Sequence, residues 1–318
     1  MTVKTRSSAR SLLVALPVYG SVELAIECLR SLAHEVKNPS DRVIVVNDRG
    51  PESTKVDAAL RLELSTYPDS YRLITNPRNF GLVETLNSAL GSVNVENYDV
   101  VLVNSDVIVT PDAISEMRRV LRSDENTGIV CPRSDNASLA SIPHLAGLPR
   151  AEATRKFGIW VKSKPESTTV PVAVGFCMVI RGELFRQFGF FDTVFSPGYG
   201  EENDFSMRIR RGGWRVALAN RALAFHVGGA SFGRDRAAEL QLRNEIVFRR
   251  RYPGYTFDRE RYLEIGKATP RGSRLAIGLR VFAVAFVKQF AFSVLGVAPR
   301  TAARLVIAIR KPFRRMRK

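Results

Sequence analysis

Three acids fall within four positions in Gly200-Glu201-Glu202-Asn203-Asp204, at the start of an apolar helical pattern. Crowded carboxylates raise one another's pKa, so one of the three can act as a general base. A helix start also attracts acids through its dipole, and capping competes with that role. A second candidate is Asn104-Ser105-Asp106, which ends the apolar run 100–103. A carboxylate there can hold a hard divalent cation and share it with a diphosphate, and the same pattern also makes an Asx turn. Asp48 ends Val45-Val46-Asn47-Asp48, where an acceptor can bond a base or ribose, or simply shape a turn. His226 follows the apolar run 222–225, and Gly228 and Gly229 behind it allow close approach of backbone to a ligand. A lone histidine in such a place can also be purely structural.

Several chemistries are missing. There is no Gly-x-Gly-x-x-Gly and no Gly-x-x-x-x-Gly-Lys-Ser/Thr, which argues against the commonest dinucleotide and P-loop sites. No nucleophile elbow supports Ser-His-Asp hydrolysis. Asn136-Ala137-Ser138 matches a glycosylation sequon by pattern only.

The elements that must position these residues alternate. Apolar runs at 12–16, 43–46, 71–75, 100–103 and 128–131 read as strands. Helix spacing at 22–32, 56–64, 82–90 and 111–122 separates them. Alternation of this kind predicts a parallel sheet with helices on both faces, and ligands at the carboxyl ends of its strands. Tyr19, Asp48, Asn104 and Asp106 would then share one edge. Beyond about residue 135 the pattern breaks. Residues 136–169 read as loop, 170–180 as a strand, 183–188 as a short helix, and 189–200 as a segment rich in Gly and aromatics. Helices are expected over 201–211, with Phe205 and Ile209 inward, and over 237–252.

The chain has 318 residues, 45% hydrophobic and 25% charged, which is ordinary globular composition. Its net charge of +17 suggests a polyanionic partner: nucleic acid, an anionic membrane or a phosphate-rich substrate. The charge is uneven. Thirteen Lys or Arg and no acid follow Glu264, leaving +4 for residues 1–264. This tail also carries apolar stretches at 275–297 and 302–309. Arg280 and Lys288 interrupt the first, so it reads as an amphipathic segment lying in a membrane interface rather than crossing it. Cys28, Cys131 and Cys177 are too few and too scattered for a disulfide framework or a zinc site, and fit buried hydrophobes in a reducing compartment. The apolar run after the basic N-terminus is short and meets Pro17, so a first core strand is expected there rather than a signal peptide.

Taken in order, these pieces resemble family 2 glycosyltransferases of the GT-A fold, and in particular their rhamnosyltransferase-like branch. The resemblance covers residues 11–252. It rests on Val14-Ala15-Leu16-Pro17-Val18-Tyr19, Cys28-Leu29-Arg30-Ser31-Leu32, Val45-Val46-Asn47-Asp48, Asn76-Pro77-Arg78-Asn79-Phe80-Gly81 leading to Asn87, Leu102-Val103-Asn104-Ser105-Asp106-Val107, Gly189-Phe190-Phe191-Asp192, the acidic segment from Gly200 to Arg208, and His226 to Ser231.

The resemblance implies a GT-A catalytic domain over 1–265, with a nucleotide-binding half at 11–135 and an acceptor-binding half at 136–265, followed by a membrane-associating tail at 266–318. It implies an inverting, metal-dependent hexosyl or deoxyhexosyl transferase. Pro17, Val18, Tyr19, Asp48, Arg78, Asn79, Asn104 and Ser105 would hold the nucleotide sugar. Asp106 and His226 would hold Mg2+ or Mn2+. Asn104 stands where the family's metal motif has its first Asp, which leaves Asp106 as the main carboxylate ligand. Glu201-Glu202 stands where the family has Glu-Asp, which maps the base to Glu202, with Glu201 and Asp204 as alternatives. A dTDP- or UDP-sugar donor, a glycan or polyprenyl-linked acceptor in cell-surface polysaccharide synthesis, and a peripheral place on the cytoplasmic face of the membrane complete the expectation, with no nucleic acid. An inactive membrane-bound scaffold of the same fold and a basic nucleic-acid binder are the competing readings.

Overall fold

The computed structural model describes residues 10–228, 234–265 and 284–286. Backbone contacts divide the chain into one unit ending at Leu240 and a second beginning at Gln241. In chain order the elements are β1 (Ser11–Val18), α1 (Val22–Ala33), β2 (Arg42–Asn47), α2 (Ser53–Leu64), β3 (Tyr71–Thr75), α3 (Leu82–Gly91), β4 (Tyr98–Val103), β5 (Val107–Val109), α4 (Ala113–Ser123), β6 (Thr127–Arg133), α5 (Arg150–Trp160), β7 (Ser167–Thr169), β8 (Cys177–Arg181), α6 (Glu183–Phe188), α7 (Glu201–Arg211), β9 (Arg215–His226), α8 (Arg234–Arg251) and α9 (Tyr255–Ile265).

The first unit is built on a mixed, mostly parallel sheet in the order β3-β2-β1-β4-β8-β6-β9-β5, with β7 also paired to β9. Strands β1, β2, β3, β4, β6 and β9 run one way, while β5, β7 and β8 run antiparallel to their neighbours. Central parallel strands are covered on both faces, which is why Leu12–Leu16 of β1 and Val100–Val103 of β4 are continuously apolar and buried. The helices that cover them are amphipathic. Helix α1 buries Ala25, Cys28, Leu29 and Leu32, and Ser21 caps it by accepting a hydrogen bond from the Leu24 N–H at 3.3 Å. Helix α4 buries Ile114, Met117, Val120 and Leu121. The rings of Phe185, Phe191 and Phe205 pack together, with centroids 5.2–6.1 Å apart, and join α6 to α7.

Three expectations from the sequence change here. Only 177–181 of the stretch 170–180 is strand; Val170 to Phe176 is buried loop, because burial makes a segment apolar whether or not it pairs. The loop expected at 136–169 contains α5, which buries just Ala153 and Phe157, too narrow a stripe to show helical periodicity. It also contains β7. Helix α9 was likewise not apparent from spacing. The three cysteines are buried and free, and burial pushes their thiols up, Cys131 to about 12. In the second unit, Phe248 meets Tyr252 and Tyr255 with centroids 5.0 and 4.9 Å apart around the α8–α9 turn. No helix among the described residues is long and apolar enough to cross a membrane. The tail expected at 266–318 lies outside the described residues, save for 284–286.

Candidate active site

Six parallel strands deliver their carboxyl ends to one cavity of about 370 Å³ in the first unit. Pro17, Val18 and Tyr19 come from the end of β1, Asp48 from behind β2, and Asn79, Gly81 and Leu82 from behind β3. Asn104, Ser105 and Asp106 follow β4, Asn136 to Ser138 follow β6, and His226 ends β9. The remaining wall is Val174, Gly175 and Phe176 ahead of β8, with Gly198, Tyr199, Glu201 and Glu202 at the start of α7. The edge expected from the sequence is therefore present, extended by three further strands.

Asp106 and His226 lie 120 positions apart and are joined through the short β5–β9 ladder, in which Val107 pairs with His226. Asp106 Oδ1 is 3.5 Å from His226 Nε2, and Oδ2 accepts a hydrogen bond from the Gly228 N–H at 3.0 Å. The Asn136 carbonyl lies 3.0 Å from His226 Nδ1. A carbonyl can only accept, so Nδ1 carries a hydrogen, and in the neutral ring Nε2 keeps its lone pair beside the carboxylate. Burial pulls the His226 pKa down. The hydrogen bond and charge of Asp106, with the Asn136 carbonyl and the Asp135 charge, outweigh it and leave a net upward shift. Phe176 stacks on the imidazole at 5.2 Å between centroids and fixes its plane. One carboxylate and one oriented imidazole fit a divalent cation that takes its other ligands from phosphate oxygens and water. No group of three His, Cys, Asp or Glu that could hold a metal unaided exists among the described residues.

Asp48 is buried and already engaged. Its carboxylate accepts from Asn76 Nδ2 at 2.7 Å, from the Phe80 N–H at 2.9 Å and from the Gly81 N–H at 2.9 Å. It thus shapes the loop behind β3 as well as lining the cavity. Gly81 sits at φ +80°, and a Cβ there would come within 2.5 Å of Pro197 Cβ, so the loop closes only with glycine.

Glu201 is 5% exposed, and its Oε2 has no hydrogen-bond partner. Glu202 Oε2 accepts from the Gly200 N–H at 3.1 Å. Burial raises both carboxyl pKa values, Glu201 to about 8, with the charge of Glu202 adding to the shift at Glu201. Gly175 leaves room for the Glu202 side chain: a Cβ there would lie 3.1 Å from Glu202 Cγ.

A family model described as glycosyltransferase like family 2 matches residues 9–245, about three quarters of the chain. The chain belongs to this family. Its fold is GT-A, as in three solved structures. GalNAc-T7 with UDP, GalNAc and Mn2+ superposes with TM-score 0.59 at 13% identity, over 91% of this chain and 57% of that one. The mannosyltransferase PcManGT from Pyrobaculum calidifontis, in complex with GDP-Man and Mn2+, gives 0.55 at 16%, over 98% and 84%. S. aureus TarS 1–349 in complex with UDP gives 0.50 at 15%, over 89% and 72%. The chain thus spans little more than half of the GalNAc-T7 chain. No curated protein matches its sequence.

Of the residues expected from the sequence, all but two line the cavity. Arg78 is exposed, with its guanidinium 4.8 Å from the Phe80 ring centroid. Asp204 is fully buried and pairs with Arg208 at 2.8 Å, one turn along α7. Contributions not anticipated include Asn136, Ser138, the loop 174–176 and Tyr199. Asn136 donates from Nδ2 to the His226 carbonyl at 3.3 Å, so the sequon residue is a wall of the cavity. Ser138 and Tyr199 have φ of +37° and +74°. Such backbone costs an L-residue about 1–2 kcal/mol, and Tyr199 is flanked by Gly198 and Gly200, which could adopt it freely.

Proposed function

We propose that this glycosyltransferase moves a sugar from a nucleoside-diphosphate donor to an acceptor hydroxyl with inversion at the anomeric carbon. The observation that carries the reading is that the Asp106–His226 pair and the Glu201–Glu202 pair line one cavity at the carboxyl ends of parallel strands. Pro17, Val18, Tyr19, Asp48 and Asn79 hold the nucleoside side, with Arg78 beside them, and Asn104 and Ser105 offer polar groups to the diphosphate. Asp106 and His226 hold Mg2+ or Mn2+, which when bound offsets the negative charge growing on the leaving diphosphate. Glu202, deprotonated, takes the proton of the acceptor hydroxyl. The acceptor oxygen bonds to the anomeric carbon as the bond from that carbon to the phosphate oxygen breaks, and its electron pair leaves with the nucleoside diphosphate. One displacement from the opposite face inverts configuration. The UDP, GDP-Man and Mn2+ of the structural neighbours support a nucleotide-sugar donor and a divalent metal.

The finer reading follows the rhamnosyltransferase-like resemblance: a dTDP- or UDP-deoxysugar as donor, and a lipid-linked glycan in cell-surface polysaccharide synthesis as acceptor. Residues 1–265 form the catalytic domain, and the basic tail, 266–318, rests on the anionic inner face of the cell membrane. A donor screen that follows nucleoside-diphosphate release with Mn2+, with Mg2+ and with EDTA tests the core of this reading. One donor should give metal-stimulated release that Asp106→Asn abolishes. Absence of metal-dependent release from every donor would overturn it.

A further inference from the structure

We propose that Tyr199 is the platform on which a pyranose ring of the acceptor stacks, next to the base; this rests on the reading of Glu202 as that base. A bulky residue held at φ +74° between two glycines is a conformation that the surrounding structure has to enforce, and such residues collect where ligands are gripped. Tyr199 is half-buried and lines the cavity. The turn that sets its ring also sets the base, because the Gly200 N–H that follows it holds Glu202 Oε2 at 3.1 Å. Ring and carboxylate are thus positioned by a single turn. Tyr19 lines the cavity at the β1 end, on the nucleoside side, and Phe176 lines it beside His226. The buried, unpartnered Oε2 of Glu201, two residues beyond Tyr199, marks the same wall as one that a bound molecule completes.

The chemistry of the ligand follows from the neighbours. The acceptor must bring a hydroxyl to Glu202. A pyranose presents an apolar C–H face and a rim of hydroxyls, so it can lie on an aromatic ring and still offer one hydroxyl to a carboxylate beside that ring.

The test compares octyl pyranosides of the gluco, galacto and manno series with glycerol, an acceptor without a ring, using the donor found by the release screen. Wild type should favour at least one pyranoside over glycerol. Tyr199→Gly, which relaxes the backbone, and Tyr199→Leu, which keeps bulk, should each raise the pyranoside KM about tenfold or more and narrow that preference, whereas Tyr199→Phe keeps both. Affinity for UDP with Mn2+, measured by titration, should stay within about threefold in all three variants, which separates a stacking role from a structural one. The proposal is overturned if Tyr199→Leu performs like Tyr199→Phe, if nucleotide affinity falls in step with acceptor KM, or if wild type uses glycerol as well as every pyranoside. A protein that releases no nucleoside diphosphate from any donor fails at the earlier reading instead.

Discussion

In the proposed reaction Glu202 acts by basicity, and its surroundings set the pH at which it can act. Glu202→Gln keeps size and removes the proton acceptor. Transfer should fall by about 10²–10⁴ while donor affinity persists, and the acid limb of the kcat profile should disappear with it. In wild type that limb should stand above the ordinary carboxylate range, because burial holds the Glu202 pKa up. The neighbouring acid reports on stability. Glu201 is raised from 4.5 to about 8, so between those pH values the folded chain keeps a proton that the unfolded chain has released. Its contribution to stability therefore declines as pH rises through this window. Glu201→Gln should raise Tm relative to wild type by an amount that grows from pH 5 to pH 8; a difference independent of pH would contradict the shift. These carboxylates, and Asp48, Asp106 and His226, were readable in the sequence because each is a polar residue at the end of an apolar run or the start of a helical one. Tyr199, Phe176 and Asn136 were not, since nothing local distinguishes a loop residue that faces a cavity from one that faces water.

At the level of elements, the sheet was the most readable part. Buried parallel strands leave apolar runs, and crossover helices leave a stripe of 3.6 periodicity, so β1 to β4, β6 and α1 to α4 follow from spacing. The half beyond residue 135 is shaped by tertiary contacts. Loop 170–176 is as apolar as a strand, and α5 shows too few buried positions to look like a helix. That loop packs against Glu202, the proposed base. Gly175→Ala would place a methyl 3.1 Å from Glu202 Cγ and 3.3 Å from its carboxyl carbon, tighter than ordinary contact. The flexible carboxylate can move, so the fold should survive. A displacement of a few tenths of an ångström at the base should nonetheless lower kcat about tenfold with nucleotide affinity unchanged. Equal losses in thermal stability and kcat would assign Gly175 to packing instead.

Along the sequence, the strongest basic excess lies outside the region that the family model matches. The matched region ends at residue 245, while thirteen of the 48 basic residues and none of the 31 acids lie beyond Glu264. A tail of this composition can add about 1 kcal/mol per basic residue near anionic lipid, and its apolar stretches add a term that salt does not screen. Full-length protein should therefore bind anionic vesicles and release only partly at high salt. A chain ending near residue 266 should keep its donor site and lose the vesicles, with transfer to a lipid-linked acceptor falling further than transfer to a soluble one. Complete release at moderate salt would reduce the tail to an electrostatic contact, and no binding at all would remove the membrane from the picture.

The three-residue ladder of β5 against β9 closes a loop of more than a hundred residues, and the proposed cation ligands sit at its open end, where the Val227 N–H donates to the Asp106 carbonyl at 3.1 Å and the Gly228 N–H to the side chain. A ladder this short breathes, and each opening separates Asp106 from His226. An ion that grips both residues only when the ladder is closed makes opening rarer by the factor 1 + [L]/Kd. Hydrogen exchange at Val107, Val227 and Gly228 should accordingly slow as Mg2+ is added to the nucleotide-loaded protein, in proportion to site occupancy, and should be indifferent to Mg2+ in Asp106→Asn. Amide exchange would then serve as a binding isotherm for the metal that needs no turnover at all.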